Sequence, residues 1–580
     1  MINLKISKIF YQIAEYYAMD EVAFKPAAYE RAARLIEAME EDLEDVYKKD
    51  GVKGLMKIDG IGQGLAEKIE EFIKTGKIQE YEKLKKRYPV DLERLTAVEG
   101  LGPKMIKTLY EKLRVKNLAD LEKAAAAGKI AKLPRFGPKV QSNILRGIEF
   151  LKGGQGRALL GYVLPLARKI EKRLNELSYV QEAIASGSVR RMKETVGDID
   201  ILAISIQPAK VMDFFCALPE VTDVLAKGVT RSAVKLSNGL DADLRVVPKE
   251  SFGAALQYFT GSKEHNIVLR EMARKKGYKL NEYGMFQIKN VKLKNKEIKI
   301  AGEDEKGIYK LLGLEYIEPE LRENTGEIEA ALSNKLPKLV KYGDIKSDLQ
   351  THSDWSDGGN TIEEMAEAAK KLGRQYIAIT DHAGRLAIAG GLKETDLLKQ
   401  MAEIDKIDKK ISGIRILKGA EVDIDKEGKP HIRDEILAKL DIVFGAIHDN
   451  FKMSKEVMTE RICQAMANPH VDILAHPSGR LIGRREGYQV DWEKVFRQAV
   501  RTNTIIEINA YPERLDLAWQ NVRRAVEMGV KLSIGTDAHS VGHLSFLELG
   551  VSVARRGWAE KKDIINTKSY GDLMRFLKNK

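Results

Sequence analysis

Three aspartates at the ends of two apolar runs have the side chains that metal chemistry requires. Asp198 and Asp200 are one residue apart, so on a strand their side chains would share a face. Asp243 ends a second strand-like run. Carboxylate oxygens suit Mg²⁺, and paired ions stabilise the attacking and leaving oxygens of phosphoryl transfer. We therefore predict that these aspartates hold Mg²⁺ for that reaction. The alternative for the Asp-x-Asp pair is a solvated strand end.

Residues 342–580 carry a second set of candidate metal ligands. Short apolar strands alternate there with helices, which predicts a parallel barrel whose active site is the rim at the carboxyl ends of the strands. Nearly every strand ends in a histidine or a carboxylate, and such mixed ligands suit Mn²⁺ or Zn²⁺ ions that activate water. The candidate ligands are His352, Asp357, His382, Glu421, His448, His476, Asp537 and His539. His431, His470 and His543 fall off this pattern and are interpreted as structural or surface residues.

Glycine turns in the first 140 residues predict three helix-hairpin-helix modules. The turns are Gly60-Ile61-Gly62, Gly100-Leu101-Gly102 and Phe136-Gly137-Pro138, each followed by a helical pattern. Glycine lets backbone N–H groups approach a phosphate, and the following helix N-terminus attracts negative charge. The alternative is that these are helix turns with packing glycines. The predicted DNA-binding residues are Gly60, Gly62, Gly64, Gly100, Gly102 and Lys104.

The distribution of charge indicates where nucleic acid would bind, and the low cysteine content indicates the cellular compartment. Residues 1–340 carry 59 Lys and Arg against 49 Asp and Glu, whereas residues 341–580 carry 38 against 36. The basic excess therefore lies with the predicted hairpins, as expected for a nucleic-acid footprint. There are two cysteines, no apolar run long enough for a bilayer and no signal-peptide pattern. We predict a cytoplasmic protein that is not attached to a membrane.

The order of the front motifs resembles that of family X DNA polymerases, such as DNA polymerase beta, over about residues 1–325. Gly187-Ser188 lies ten residues before the first aspartate, and Tyr258-Phe259-Thr260-Gly261-Ser262 matches the sugar-recognition motif of the family. An aromatic pair at a glycine kink is otherwise explained by core packing. By the resemblance, the nucleotide triphosphate and the nascent base pair would contact Gly187, Ser188, Arg191, Gly197, Tyr258, Phe259, Gly261, Asn266 and Arg270.

The first segment also resembles the small lyase domain of that family. Lys68 stands where the family places its Schiff-base lysine. An amine nucleophile needs a lowered pKa, which neighbours such as Arg31 would supply. The alternative is an exposed helical lysine that binds phosphate or solvent.

The second half resembles the PHP (polymerase and histidinol phosphatase) domain over about residues 342–575. Such domains bind up to three metal ions and hydrolyse phosphoesters. Gln350 replaces the first histidine of the usual His-x-His motif and would be a weak ligand. Arg480, Arg484 and Arg485 follow His476 and are interpreted either as a grip on a DNA phosphate or as a solvated loop.

These resemblances imply a multidomain chain with helical hairpin domains, an α/β nucleotidyltransferase palm and thumb, and a distorted (β/α)7 PHP barrel. The expected domains are a lyase-like domain (1–90), a fingers-like domain (91–153), the palm (154–250), a thumb-like nucleotide-selection domain (251–322), a linker (323–341) and the PHP domain (342–580).

The predicted function is a DNA polymerase that fills short gaps during repair, joined to a 3′-5′ exonuclease. Cleavage at abasic sites and removal of 3′-phosphates remain open. The expected partners are gapped or nicked DNA and deoxynucleoside triphosphates, bound by a nucleoid-associated prokaryotic monomer. Two alternatives concern the barrel, which could be a small-molecule phosphoesterase beside a nucleic-acid-binding front half, or a metal brace that only supports the polymerase.

Overall fold

The structure, a computed structural model, describes the chain apart from residues 1, 40, 59, 97, 99–100, 135, 154–155, 288–297, 385–389 and 579–580. A helical front part is followed by a five-stranded sheet, a small three-stranded sheet with helices, and a parallel barrel. The predicted multidomain fold class is confirmed. Among the described residues, no helix combines the length and apolarity that a membrane crossing requires.

Helices form the regular structure of the front part. They are α1 (Ile2–Met19), α2 (Lys25–Ala38), α3 (Leu43–Met56), α4 (Gln63–Thr75), α5 (Gln79–Arg87), α6 (Leu92–Thr96), α7 (Pro103–Leu113), α8 (Leu118–Ala126) and α9 (Gly137–Gly153). Each turns an apolar stripe inward, so Phe10, Ile36 and Ile69 are fully buried in one core. Gly62 and Gly102 are the extended residues that precede α4 and α7. The predicted hairpin turns therefore lie at helix N-termini.

The palm is built on a five-stranded sheet. Its elements are β1 (Ala158–Leu159), α10 (Leu160–Asn175), β2 (Val180–Ala185), α11 (Gly187–Arg190), β3 (Thr195–Val196), β4 (Asp198–Ser205), α12 (Pro208–Cys216), β5 (Val221–Lys227), β6 (Arg231–Leu236) and β7 (Asp241–Val246). The sheet order is β2–β4–β7–β6–β5, and β4 runs parallel to β7. This pairing sets Asp200 beside Asp243, so two separate runs deliver carboxylates to one edge.

The thumb-like part packs helices around an antiparallel sheet of order β10–β9–β8. Its elements are α13 (Phe252–Thr260), α14 (Lys263–Lys275), β8 (Tyr278–Asn281), β9 (Gly284–Gln287), β10 (Ile298–Ala301), α15 (Glu305–Leu312) and α16 (Glu327–Leu332). Helix α16 falls in the stretch expected to be a linker. Its Ile328 and Ala331 are buried in the same core as Leu269 and Ile308, so this helix is part of the folded thumb-like body.

The last part is a parallel barrel of alternating strands and helices. Its elements are β11 (Ser347–Thr351), α17 (Ile362–Lys371), β12 (Tyr376–Ile379), β13 (His382–Ala383), α18 (Glu394–Lys410), β14 (Arg415–Asp423), α19 (Asp434–Leu437), β15 (Ile442–Ala446), α20 (Lys455–Ala467), β16 (Ile473–Leu474), α21 (Trp492–Thr502), β17 (Ile505–Asn509), α22 (Trp519–Glu527), β18 (Leu532–Gly535), α23 (Leu547–Arg556) and α24 (Tyr570–Lys578). The order is β11–β12–β14–β15–β16–β17–β18, with β13 beside β14. A bridge between Thr351 and Ala538 brings the two ends together. This nearly closed seven-stranded ring confirms the predicted barrel.

The palm and the barrel share a hydrophobic core. Leu160 and Val163 of α10 belong to the same buried cluster as Ile508 and Leu549 of the barrel. A Cβ atom at Gly161 would lie 2.6 Å from Cγ of Pro512, so the two bodies approach each other closely there. The orientation of the two halves is therefore fixed by packing and not by a tether.

Candidate active sites

The palm carboxylates converge at one edge of the sheet. Asp198 and Asp200 project from β4 while Ile199 and Ile201 lie buried behind them, as the two-residue period predicts. The strand register places Asp243 directly beside Asp200. Burial, and repulsion from the other two carboxylates, raise the pKa of Asp200 to about 6. The edge therefore concentrates negative charge that a divalent cation would neutralise.

Arg231 is a palm residue that the motifs do not reveal. Its Nη2 atom lies 3.1 Å from Oδ1 of Asp243. Arg231 lies on β6 two residues from Ala233, the sheet partner of Asp243, and alternate residues share a face. Within the described chain, the sets of three or more ligand atoms that lie within 4.8 Å of one another are in the barrel. The palm carboxylates are thus adjacent without forming a closed cage.

Gly187 is required by the close approach of its backbone to Asp200. Its φ of +59° lies in the left-handed region. A Cβ atom there would collide with Oδ2 of Asp200. Ser188 follows in the short helix α11, and its Oγ is buried without a hydrogen-bond partner in the described part of the chain. At Gly197, a Cβ atom would lie 3.2 Å from Nη1 of Arg157.

Arg191 lies where the palm, the thumb-like part and the barrel meet. Its Nη1 donates to the carbonyl of Thr260 at 2.6 Å, and its Nε donates to Glu323 at 2.9 Å. Arg556 of α23 donates to the carbonyl of Arg191 at 2.8 Å. The residue predicted to contact the triphosphate is therefore held by neighbours from two other bodies.

Asn266 holds together the motif that was predicted to recognise the sugar. Its Nδ2 donates to the carbonyls of Tyr258 at 2.6 Å and Gly261 at 3.2 Å. A Cβ atom at Gly261 would lie 2.5 Å from Oδ1 of Asn266, so this position needs glycine. The rings of Tyr258 and Phe259 meet edge to face at 5.2 Å, and Arg270 Nε donates to the carbonyl of Asn266 at 3.2 Å. The structure thus gathers these five predicted residues.

The hairpin glycines differ in what surrounds them. A Cβ atom at Gly62, Gly64 or Gly102 would meet nothing within 4 Å, so their backbone is open to a ligand. Gly60, with φ of +77°, would instead place a Cβ atom 2.7 Å from Cδ1 of Leu35. Lys104 forms an ion pair with Glu21 at 3.0 Å. Gly100 lies outside the described residues.

Lys68 is half-buried on α4. Its Nζ lies 2.8 Å from Oε2 of Glu80 and 3.4 Å from the carbonyl of Gly64. Burial, followed by the nearby charge of Lys25, lowers the pKa of Lys68, and burial raises the pKa of Glu80. Burial and Lys25, and not the predicted Arg31, therefore lower the pKa of Lys68.

The barrel brings all eight predicted ligands into one hollow. Three groups have ligand atoms within 4.8 Å of one another: His352, Asp357, His382 and His539; His382, Glu421 and His448; and His352, Glu421 and Asp537. His476 joins them because its Nε2 lies 2.8 Å from Oε1 of Glu421. Glu421 is fully buried and central, with Oε2 also 3.4 Å from Nε2 of His352.

Burial and neighbouring charges shift the pKa values of the barrel ligands in different directions. Burial opposes ionisation, yet the surrounding histidines hold the pKa of Glu421 and of Asp537 well below the usual range. Despite burial, hydrogen bonds to Asp423 and Glu421 raise the pKa of His448 to about 9. Burial lowers the pKa of His382 to about 4. Neutral imidazole and ionised carboxylate are the forms that bind metal.

The donor set fits divalent metal ions. In the described part of the barrel, the Nδ1 atoms of His352, His382 and His476 are buried without a hydrogen-bond partner. A buried unpaired nitrogen is unfavourable unless a ligand satisfies it. The three overlapping groups therefore have the ligand types and the spacing for more than one ion.

Gln350 turns its amide toward Glu421. Its Nε2 donates to Oε2 of Glu421 at 3.0 Å, while its Oε1 accepts from Nδ2 of Asn509 at 3.3 Å. Asp423, which the strand-end pattern did not single out, accepts from Nδ1 of His448 at 2.7 Å. The signal was present, since Asp423 lies two residues beyond Glu421 on β14 and so shares its face.

The arginine loop after His476 has two kinds of contact. Arg480 Nη2 lies 2.5 Å from Oε1 of Glu194 in the palm, so this arginine joins the two bodies, which neither the DNA grip nor the solvated loop anticipated. Arg485 donates to the carbonyl of Gly479 at 2.7 Å, and Arg484 pairs with Glu513 at 3.3 Å.

Comparison with known families gives four matches. They are a helix-hairpin-helix domain at residues 1–78, a SAM-like helix-hairpin-helix tandem at 92–149, the DNA polymerase beta thumb at 255–323 and the PHP domain at 348–511.

Two kinds of relative are similar to this chain. It is 39% identical over 557 residues to "DNA polymerase/3'-5' exonuclease PolX" of Bacillus subtilis (strain 168), across 96% of this chain and 95% of that protein. It is 34% identical over 249 residues to a probable phosphatase of Thermoanaerobacter sp. (strain X514), across 41% of this chain and 96% of that protein. A probable phosphatase of Acetivibrio thermocellus is 31% identical over 206 residues, across 34% of this chain and 80% of that protein.

Proposed function

This chain belongs to the family X DNA polymerases that carry a PHP domain, and we propose that its two sites perform opposite reactions on DNA. The palm would add nucleotides in short gaps, and the barrel would remove them from 3′ ends. The observation that carries this proposal is the separation of two candidate metal sites, one with three carboxylates beside Gly187 and one with eight mixed ligands. The relative from Bacillus subtilis is named for both activities.

In the palm, Asp198 and Asp200 would hold Mg²⁺, which neutralises charge on the transferred phosphoryl group. Asp243 would orient the primer 3′-hydroxyl. The motif at Tyr258 and Phe259 would lie against the sugar, and the catalytic effect would come from positioning and charge stabilisation.

In the barrel, the eight ligands would hold two or three Mn²⁺ or Zn²⁺ ions, which supply an activated water for hydrolysis. The second-layer contact from Asp423 to His448 would fix the ring so that Nε2 faces the hollow. Gln350 would orient Glu421 by hydrogen bonding. Gapped or nicked DNA would be held through the open backbone at Gly62, Gly64 and Gly102. A monomer in the cytoplasm remains part of this proposal.

The experiment tests whether nucleotide addition and DNA degradation can each be removed without loss of the other. Asp198→Ala should abolish nucleotide addition on a one-nucleotide gapped duplex in Mg²⁺ while sparing Mn²⁺-dependent degradation. His352→Ala or Asp537→Ala should do the reverse. Equal loss of both activities in either class of variant would contradict two independent sites.

A second candidate for the barrel is phosphomonoester hydrolysis, because the relatives that match this half alone are named probable phosphatases. Release of inorganic phosphate from a 3′-phosphorylated primer would support it. A barrel that serves only as a metal brace would release neither phosphate nor nucleotides.

Lys68 is a candidate lyase nucleophile because burial lowers its pKa. Borohydride should trap the chain on DNA with a 5′-deoxyribose phosphate, and Lys68→Arg should remove the trapped species. Trapping that persists in Lys68→Arg would exclude this role.

A further inference from the structure

Helix α2 of the front part rests on the rim of the barrel. Leu35 is wedged between two glycines: its Cδ1 lies 2.7 Å from a Cβ position at Gly60, and its Cδ2 lies 2.5 Å from one at Gly359. Larger residues at either glycine would push this helix away. The contact therefore seats α2 on the loop that also carries Asp357.

The face of α2 that meets the rim carries two arginines. Arg31 lies one turn before both Arg34 and Leu35 on α2, and the side chains of all three line one cleft. The opposite face is buried in the helical core through Ala32 and Ile36. The front part thus presents guanidinium groups to the barrel and keeps its own core intact.

These arginines open into a cleft beside the metal-ligand hollow. The cleft is lined by both arginines together with Asp357, Gly359 and His539. Nη1 of Arg34 lies 3.8 Å from Oδ2 of Asp357. A proposed metal ligand and a half-exposed guanidinium therefore share one wall.

Guanidinium groups at this position suit a phosphate. Arginine binds phosphate oxygens through two parallel N–H bonds, and it does so best where water is partly excluded. If bound metal ions compensate the charge of Asp357, the guanidinium group of Arg34 is available to pair with an anion of the substrate. In a site that acts on DNA ends, that anion is a backbone phosphate.

We propose that Arg34, assisted by Arg31, binds the terminal phosphate of the DNA strand that enters the barrel, so that the helix-hairpin-helix part completes the nuclease site. This inference rests on the proposed nuclease function. It assigns to α2 a substrate-binding role in hydrolysis, which differs from contact between its hairpin and duplex DNA. The opposite role, in which α2 covers the rim and excludes DNA, predicts the reverse sign for nucleotide affinity and for exonuclease KM.

The test compares Arg34→Ala, Arg34→Lys and the double variant Arg31→Ala/Arg34→Ala with Arg94→Ala. Arg94 is a matched control, because it is an exposed arginine of the same part paired with Asp91 at 3.7 Å, away from the cleft. Thymidine 5′-monophosphate is titrated calorimetrically into the full Mn²⁺-loaded chain, with Asp198→Ala in every variant to remove binding in the palm. Mn²⁺ affinity is measured separately by electron paramagnetic resonance.

The expected result is that Arg34→Ala weakens nucleotide binding about tenfold or more, as for loss of one charge-assisted contact. Arg34→Lys should recover part of the loss, and the double variant should lose more. Mn²⁺ affinity should stay equal or rise, since a cation beside Asp357 is removed, whereas a purely structural role would weaken it. Exonuclease KM for a single strand should rise in parallel.

Nucleotide affinity within twofold of the parent chain in both alanine variants would overturn the inference, and so would a faster exonuclease. An equal loss in Arg94→Ala would also overturn it, as a general charge effect. Failure of the proposed function looks different: the parent chain would release no nucleotide in Mn²⁺ although binding still depends on Arg34.

Discussion

Replacing Gly187 by alanine tests whether the palm carboxylates need the backbone to approach them closely. The position has φ of +59°, and a Cβ atom there would meet Oδ2 and Cγ of Asp200, the latter at 3.3 Å. The methyl group can be accommodated only if Asp200 or the turn moves. We expect Gly187→Ala to displace the carboxylate that lies between Asp198 and Asp243.

Two effects contribute and they can be separated. A left-handed conformation costs an L-residue about 1–2 kcal/mol in folding free energy. A misplacement of about 1 Å at a reacting group costs on the order of 100-fold in rate, which corresponds to about 2.7 kcal/mol of barrier. Gly239 provides the matched control, because its φ is +85° and a Cβ atom there meets nothing within 4 Å. Gly239→Ala carries the backbone strain without the collision.

Single-nucleotide gap filling in Mg²⁺ and the midpoint of thermal unfolding are measured for both variants. Both should lose similar stability, and only Gly187→Ala should lose about 100-fold in gap filling. Mn²⁺-dependent degradation should be unchanged in both. Gap filling within threefold of the parent chain for Gly187→Ala, or an equal loss in Gly239→Ala, would refute the reasoning.

Three further outcomes follow from individual contacts. Asp200→Asn should stabilise the metal-free chain by about 2–3 kcal/mol at pH 7.5, because burial raises the pKa of Asp200 in the folded state to about 6. This gain in unfolding free energy should shrink toward zero as the pH falls to about 4, where the carboxyl is protonated. A difference in urea unfolding that does not depend on pH would contradict this. Arg556→Ala should raise KM for the incoming nucleotide, because the carbonyl of Arg191 loses its 2.8 Å donor, and an unchanged KM in steady-state gap filling would argue against coupling between the bodies. Asp423→Asn should weaken Mn²⁺ binding about 10–100-fold by releasing Nδ1 of His448, whereas an unchanged metal titration would show that the ring is held by other contacts.

The two-residue period of a strand is sufficient to predict a site whose residues come from one short stretch of sequence. Asp198 and Asp200 share a face because residues two apart on a strand must do so, and the buried Ile199 and Ile201 hold that face outward. The same holds for ligands at strand ends of a parallel barrel, since all carboxyl ends meet at one rim. Local chemistry and periodicity therefore predicted the fold class and the gathering of the eight barrel ligands.

Contacts between distant parts of the chain could not be predicted in this way. Arg480 had the composition of a DNA-binding loop, yet it binds Glu194 because the palm core packs against that side of the barrel. Arg231 reaches Asp243 through a strand register that no motif encodes. Arg34 meets Asp357 because two glycines admit Leu35 between separate bodies.

The sequence by itself determined the chemistry of each site, since the identity and local spacing of ligands depend on covalent neighbours. The tertiary structure alone decided which charges face one another across bodies, because those pairs depend on how apolar surfaces with no sequence proximity are buried together.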